Sequence, residues 1–436
     1  MKKLPKIFGW GYNFYNQLGF QNDGFYVQNP NAFHIFPGHF VSQISSAIEN
    51  TCFVSSSDEI ILQGYFCEKK KIDPKIKLPG IKKIQSTGRG TFIANTISGS
   101  VYCWGIPMSE INLGVSLNLN TPQKVLVFED MFIKDIACGK NQMYFLSQNG
   151  DLFACGNWGI KNILGDTSSF LYSPNGEKTS LFLLFKNVDK IYSDACCSEA
   201  FFITKDFRIY CIGLNVWGQL GLGHFKEVWQ PFEHTKFFAE QIMDIRMTSS
   251  STIFLVKEKG CGQIYSCGKS EFNGLNSHNA INRPQKLEMP DHDIIAITTG
   301  SSHSIVLTSK NEILIWGASN SYGQLGKPSL KENAKTPFLH SISQILQSTP
   351  FHIAISSGPI TSFIFYPLDS YLIQDFLRFF QREENCDSKI VFFDGEKNVH
   401  SNVLNMRIGK EKCSKLFSIL KKEYKFENFK RYWIFK

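Results

Sequence analysis

A short apolar run ending in glycine returns seven times along this chain of 436 residues, and that recurrence restricts the fold more than any other feature. Good copies are Ile7-Phe8-Gly9-Trp10-Gly11, Val101-Tyr102-Cys103-Trp104-Gly105, Leu152-Phe153-Ala154-Cys155-Gly156 and Ile209-Tyr210-Cys211-Ile212-Gly213. Two more are Ile264-Tyr265-Ser266-Cys267-Gly268 and Ile313-Leu314-Ile315-Trp316-Gly317, with Ile60-Ile61-Leu62-Gln63-Gly64 as a weaker seventh. The terminal glycines at 11, 64, 105, 156, 213, 268 and 317 are separated by 53, 41, 51, 57, 55 and 49 residues. A period of that length belongs to a propeller or a solenoid, and β-branched and aromatic residues in the repeated run select strands.

Two further elements share the period. Upstream of each run lies an apolar pair three apart: Val41/Ile44, Ile81/Ile84, Ile133/Ile136, Val188/Ile191, Ile242/Ile245 and Ile294/Ile297. Downstream lies a tight excursion, as in Gly11-Tyr12-Asn13-Phe14-Tyr15-Asn16-Gln17-Leu18-Gly19 and Gly213-Leu214-Asn215-Val216-Trp217-Gly218-Gln219-Leu220-Gly221. Residues Gly317 to Gly326 give a third copy; those after Gly105 and Gly156 are degraded, and those after Gly64 and Gly268 have largely lost the phrase. Glycine supplies positive φ there, Asn bonds its own backbone, and one Leu anchors the loop. Each unit thus holds three or four short strands, the make-up of a propeller blade.

The seventh unit fixes the closure. Ile353 to Gly358 and Thr361 to Phe365 align with Ile295 to Gly300 and His303 to Leu307, but no glycine-ended strand follows. One such strand is spare at the beginning of the chain, Lys6 to Gly11. The expectation is an all-β, seven-bladed propeller over residues 1–366 in which the first strand completes the last blade and removes the exposed edges.

The Trp-Gly-x-Asn-x-x-Gly-Gln-Leu-Gly run resembles the regulator of chromosome condensation repeat, a seven-bladed propeller family; Trp10–Gly19, Gly213–Gly221 and Trp316–Gly326 carry the match. The family's founding member is a nucleotide-exchange factor for a nuclear GTPase, while the fold serves widely as a binding platform. None of the founding member's exchange residues maps onto this chain.

After Pro367 the repeat stops. Leu372 to Phe380 has helical spacing, which makes residues 367–385 a helical linker, and Asp394-Gly395 between two strand-like runs signals a hairpin with a type I′ turn. Residues 386–436 resemble the opening of a BTB domain through Asp387, Ile390, Phe392, Gly395, His400, Val403, Leu404 and Arg407. This gives a small α+β, BTB-like tail of about half the length of a complete domain. Propellers of this type followed by BTB domains occur in proteins resembling the inhibitor of Bruton tyrosine kinase. That resemblance implies a substrate adaptor of a cullin-type ubiquitin ligase.

Composition narrows the function. Net charge is +8, and Ile408 to Lys436 carries nine Lys/Arg against three Glu, with Leu416, Phe417, Leu420 and Tyr424 at helical spacing. Lys69-Lys70-Lys71 to Lys83 reads as a solvated basic insertion. No apolar stretch is long enough for a membrane span, the opening residues do not form a secretory leader, and nucleic acid is not the expected partner. The twelve Cys read as reduced thiols packed as small hydrophobes, the pattern of a cytoplasmic protein, with the nucleus as the alternative.

No phosphate loop, nucleophile elbow, metal-ligand spacing or cofactor motif is present, and His303-Ser304 falls at a repeat position that begins a strand. The expectation is therefore a non-enzymatic protein-binding scaffold without cofactor or metal. Its partner would dock on a rim that includes Tyr15, Trp217 and Tyr322, and the tail would link to a cullin. The alternative is exchange or regulation of a small GTPase.

Overall fold

The computed structural model describes residues 7–20, 24–36, 41–65, 76–108, 111–114, 121–157, 170–172, 178–235, 237, 241–289, 293–318, 320–328, 330, 333–347 and 353–367. Beyond these it describes strand segments 389–391, 393–394, 398–399 and 433–435. The chain divides into two compact units, Met1–Ser370 and Tyr371–Lys436.

The first unit is a ring of seven antiparallel sheets, six of four strands and one of five. Blade 1 runs Val41–Ser46, Asn50–Ser55, Glu59–Gly64, Ile76–Lys77, and blades 2 to 6 repeat this meander from Ile81, Ile133, Val188, Ile242 and Ile294. Blade 7 is built from both ends of the repeat array. Its strand Ala354–Ser357 pairs with Thr361–Phe365, which in turn pairs with Ile7–Tyr12 in a register that sets Phe8 opposite Ile364, Gly9 opposite Phe363 and Trp10 opposite Ser362. The closure expected from the sequence is present, with one addition. Tyr26–Phe33 pairs with Ile7–Tyr12 as the outermost strand, so the beginning of the chain supplies two strands.

The three-residue apolar spacing of the first strands has a local cause. Strict alternation would put residues one and four on opposite faces. In blades 1 to 6 the register shifts between positions one and three, at Val41/Gln43, Ile81/Lys83, Ile133/Asp135, Val188/Lys190, Ile242/Asp244 and Ile294/Ala296. A β-bulge there turns both apolar side chains inward. Lys83 consequently sits on a strand and pairs with Asp135 at 2.8 Å, which corrects its assignment to a solvated insertion; Lys69 to Lys71 lie outside the described residues.

Second strands are packed on both faces. All six residues of Asn50–Ser55, Gln142–Ser147 and His303–Thr308 are buried, whereas in the outer strand Tyr26–Phe33 only Phe33 is. Apolar clusters fill the space between neighbouring blades, and Cys103, Cys155, Cys211 and Cys267 lie inside them as free thiols. Burial pushes the Cys155 thiol up to about 12, so it packs and does not react.

In six blades the terminal glycine of the repeated strand opposes a polar residue that begins the second strand: Asn50 faces Gly64, Thr91 faces Gly105, Gln142 faces Gly156, Ser251 faces Gly268, His303 faces Gly317 and Thr361 faces Gly11; in blade 4 Gly213 lies against the backbone of Glu199, the residue before the strand. A Cβ on Gly11 would run into the carbonyl oxygen of Ile360, and φ is +108° there, which is why the position stays glycine. The polar residues are buried and link blades; Ser362 Oγ lies 2.8 Å from His303 Nε2, and Ser46 Oγ lies 2.8 Å from Thr361 Oγ1 across the closure.

In the second unit, Lys389–Val391 pairs antiparallel with Trp433–Phe435, and Phe393–Asp394 with Asn398–Val399. Asp394 opposes Asn398, which leaves three residues between the paired positions where a two-residue type I′ turn was expected. The helical linker, Asp387, Gly395, His400, Leu404 and Arg407 of the BTB-like motif, and Leu416 to Tyr424 of the basic helix all lie outside the described residues.

Candidate partner-docking rim

The rim is built on the repeated loop. In each complete copy the Asn carboxamide holds the excursion from inside. Asn13 Oδ1 accepts from the Leu18 N–H at 2.8 Å, Asn215 Oδ1 from Leu220 at 2.9 Å, and Asn320 Oδ1 from Leu325 at 2.8 Å. The Asn side-chain NH2 groups donate onward to carbonyls, as Asn215 does to His224 at 2.9 Å and Lys226 at 3.0 Å. The Leu side chains are fully buried. Position four of the turn has φ of +60° at Asn16, +74° at Gly218 and +72° at Gly323, the left-handed region that Asn and Gly tolerate.

The Gln of each copy acts on the residue two before it. Gln17 Oε1 accepts from the Tyr15 N–H at 3.1 Å, Gln219 Oε1 from Trp217 at 2.9 Å, and Gln324 Oε1 from Tyr322 at 2.9 Å. The loop therefore uses only the backbone of Tyr15, Trp217 and Tyr322. Their side chains carry no hydrogen bond of the loop and are left to face outward, Trp217 at 41% and Tyr322 at 44% exposure.

Those three positions do not form one cluster. Tyr322 meets Tyr12 edge-on at 5.4 Å between ring centroids, and Tyr12 stacks on Phe14 at 6.4 Å. Phe14 then touches Tyr15 at 4.7 Å and Phe25 at 4.9 Å, and Tyr15 meets Tyr65 at 5.1 Å. Six aromatic rings form an unbroken arc over blades 6, 7 and 1, with Phe25 64% and Phe14 45% exposed. Burial is the main reason the Tyr12 hydroxyl titrates above its ordinary value, with Tyr15, Glu49 and Tyr322 adding to it. Trp217 stands elsewhere, under the ammonium of Lys269 at 4.9 Å, with Phe272 under the same ammonium at 5.4 Å.

Tyr12, Phe14, Phe25 and Tyr65 were not singled out from the sequence. Tyr12 and Phe14 stand inside the repeated phrase, and their departure from the other copies was the available signal. Phe25 and Tyr65 come from different strands, and only the fold brings them to Phe14 and Tyr15.

The loop after Gly268, expected to have lost the phrase, keeps a shortened form: Asn273 Oδ1 accepts from Leu275 at 2.9 Å, and Gly274 has φ of +76°. Among the described residues no group of three or more His, Cys, Asp and Glu is placed to hold a metal. No described helix is long and apolar enough to cross a membrane.

Residues 294–324 match the regulator of chromosome condensation (RCC1) repeat. With seven blades closed by the first strand, the chain is a seven-bladed β-propeller that carries an RCC1 repeat in its sixth blade. It is 25% identical over 345 residues to the ultraviolet-B receptor UVR8 of Arabidopsis thaliana, spanning 73% of this chain and 74% of that one. It is 24% identical over 298 residues to the human E3 ubiquitin-protein ligase HERC2, of whose length the match spans only 6%. Over 118 residues, 26% of this chain, it is 29% identical to the secretion-regulating guanine nucleotide exchange factor of Bos taurus, of which 25% is covered. The structure of Prp20p from Saccharomyces cerevisiae, described with its binding properties to Gsp1p and histones, superposes with a TM-score of 0.68 at 19% identity, over 87% of this chain and 96% of that one.

Proposed function

We infer that the chain is a non-catalytic cytoplasmic scaffold whose propeller docks a partner protein on the aromatic arc Tyr322–Tyr12–Phe14–Tyr15–Tyr65. One observation carries this reading: the loops are held by Asn, Gln, Leu and backbone groups, and they engage Tyr15 and Tyr322 through the backbone N–H rather than the ring. Exposed Tyr and Phe in contact with one another offer large contact area at small entropic cost, the make-up of an interface core. Affinity purification followed by mass spectrometry, with wild type and a Tyr12→Ala/Phe14→Ala/Tyr322→Ala variant, tests it. Loss of specific partners at unchanged thermal stability supports the arc, and an identical set of partners refutes it.

The tail, read as BTB-like, extends the scaffold to an adaptor for a cullin-type ubiquitin ligase. Cullin capture that survives removal of residues 386–436 would remove the tail from that role. A second reading, regulation of a small GTPase by nucleotide exchange, is favoured by the similarity to a guanine nucleotide exchange factor over 118 residues. Accelerated nucleotide release from a small GTPase at substoichiometric protein would establish it in place of the scaffold.

A further inference from the structure

The first strands of the seven blades enclose an axial cavity of about 330 Å³, to whose wall every blade contributes. A second cavity of about 220 Å³ shares Lys83, Gln85, Ser193 and Arg246 with it and is lined by blades 2 to 5 alone. On these four blades the third position of the strand reads Lys83, Asp135, Lys190, Asp244; in blades 6 and 7 the matching residues are Ala296 and Ala354. The charges are concentrated on one side of the ring.

An inventory of donors and acceptors shows what this wall lacks. Every carboxylate is already held. Asp135 Oδ1 accepts from Lys83 Nζ at 2.8 Å and from the Ile136 N–H at 2.8 Å. Asp244 accepts from the Ile245 N–H at 2.9 Å and from Arg246 Nε at 3.0 Å. The more deeply buried Asp194 accepts from Arg246 Nη1 at 3.2 Å and from the Met247 N–H at 2.8 Å.

The donors are not used up. Lys190 makes no ion pair or side-chain hydrogen bond among the described residues, although it lines the cavity. Gln85 spends its oxygen on the Cys138 N–H at 2.7 Å, and its NH2 group is left over. Arg246 uses Nε and Nη1 and retains Nη2. Tyr192 lines the same wall, and burial pushes its hydroxyl above the ordinary phenol value, so it stays a proton donor. Unengaged donors beside carboxylates that are each already paired with a cation suit an acceptor-only ligand.

We propose that the side of the channel formed by blades 2 to 5 is an oxyanion site, taking a phosphate or carboxylate group among Lys190, Tyr192, the Gln85 amide and the second arm of Arg246. The group comes either from a small free anion or from an acidic segment of a polypeptide. The site is separate from the aromatic arc and does not depend on it.

The test uses the full chain and two probes. Inorganic phosphate is followed by phosphorus NMR line broadening, and a fluorescent hexaglutamate peptide by anisotropy. Saturable binding of phosphate alone assigns a small free anion. Saturable peptide binding that phosphate displaces assigns an acidic segment. In either case Lys190→Glu should weaken binding by at least about tenfold, the scale of one charge-assisted hydrogen bond, and Tyr192→Phe by a few-fold. Lys310→Glu, a charge reversal in an exposed turn, should leave binding as it is. The proposal is overturned if neither probe saturates, if Lys190→Glu binds like wild type, or if Lys310→Glu weakens binding as much as Lys190→Glu.

Discussion

Loops 13–19 and 215–221 are the same object by their hydrogen bonds and different objects by their surfaces. Both close through an Asn oxygen on a Leu N–H and a Gln oxygen on an aromatic residue's N–H, with distances that agree within a few tenths of an ångström. Yet the first carries part of a six-ring arc, and the second carries one tryptophan under a lysine. The comparison separates what the repeat encodes from what it leaves open. Asn, Gln, Leu and Gly specify the excursion, and the residues between them specify what it meets.

The most severe way to break the comparison is to remove the closure on which the first loop stands. Deleting residues 1–20 takes out the strand between Thr361–Phe365 and Tyr26–Phe33 and exposes unpaired edges on both. Loss of the single cooperative denaturant transition, with association on a sizing column, is the expected outcome. A monomer that unfolds like the full chain would mean that the ring does not depend on this strand.

Removing one Asn is the next largest change. Asn13→Ala and Asn215→Ala each strip a buried carboxamide of several bonds and orphan the Leu N–H. Each should cost about 2–4 kcal/mol in urea denaturation, and the two costs should agree because the scaffolds agree. A large difference between them would show that the loops are not equivalent.

The ring of polar residues opposite the glycines sharpens the same point with pH. Burial lowers His303 to about 4, below its ordinary 6.5. The unfolded chain then takes up more protons between those values, so stability is full above about pH 6.5 and falls toward pH 4. Glu199 goes the other way. Burial pushes it up to about 7, against the bonds from Gln219 and the Ser198 N–H that favour its charged form. The folded chain holds the extra proton, and stability declines as pH rises from about 4.5 to about 7. His303→Thr should flatten the acid limb and Glu199→Gln the other, each limb spanning up to about 3 kcal/mol. Melting temperatures of the three proteins at pH 4.5, 6 and 8 would show it; identical profiles would refute the assignment.

The smallest expected change in stability comes from the arc itself. Tyr322→Ala and Trp217→Ala each remove a side chain that is more than 40% exposed while keeping the backbone N–H that the Gln accepts from. Each should cost under about 1 kcal/mol by thermal unfolding. A much larger loss would mean that these side chains hold the loops, and the division between scaffold and surface would fail.

The legibility of the sequence follows the same division. Seven glycine-ended strands, the missing final strand and the spare first one were enough to place Ile7–Tyr12 beside Thr361–Phe365. These features repeat because each blade meets the same neighbours. The second N-terminal strand, Tyr26–Phe33, was not legible, since outer strands face solvent and carry no fixed apolar pattern. The apolar spacing of three was visible, and its cause, a bulge in each first strand, needed the register. The arc was half legible: Tyr15 and Tyr322 occupy a repeat position, but Phe25 and Tyr65 reach them only through folding. The charged wall of the channel was hidden for the same reason, with Lys83, Asp135, Lys190 and Asp244 about fifty residues apart in the chain.

The most direct measurement compares three full-length proteins in one affinity-purification experiment: wild type, Trp217→Ala, and Tyr12→Ala/Phe14→Ala/Tyr322→Ala. If the arc is the docking surface, wild type and Trp217→Ala retain the same partners, and the triple variant loses them at an unchanged melting temperature. Retention of those partners by the triple variant, or their loss with Trp217→Ala alone, would contradict the account.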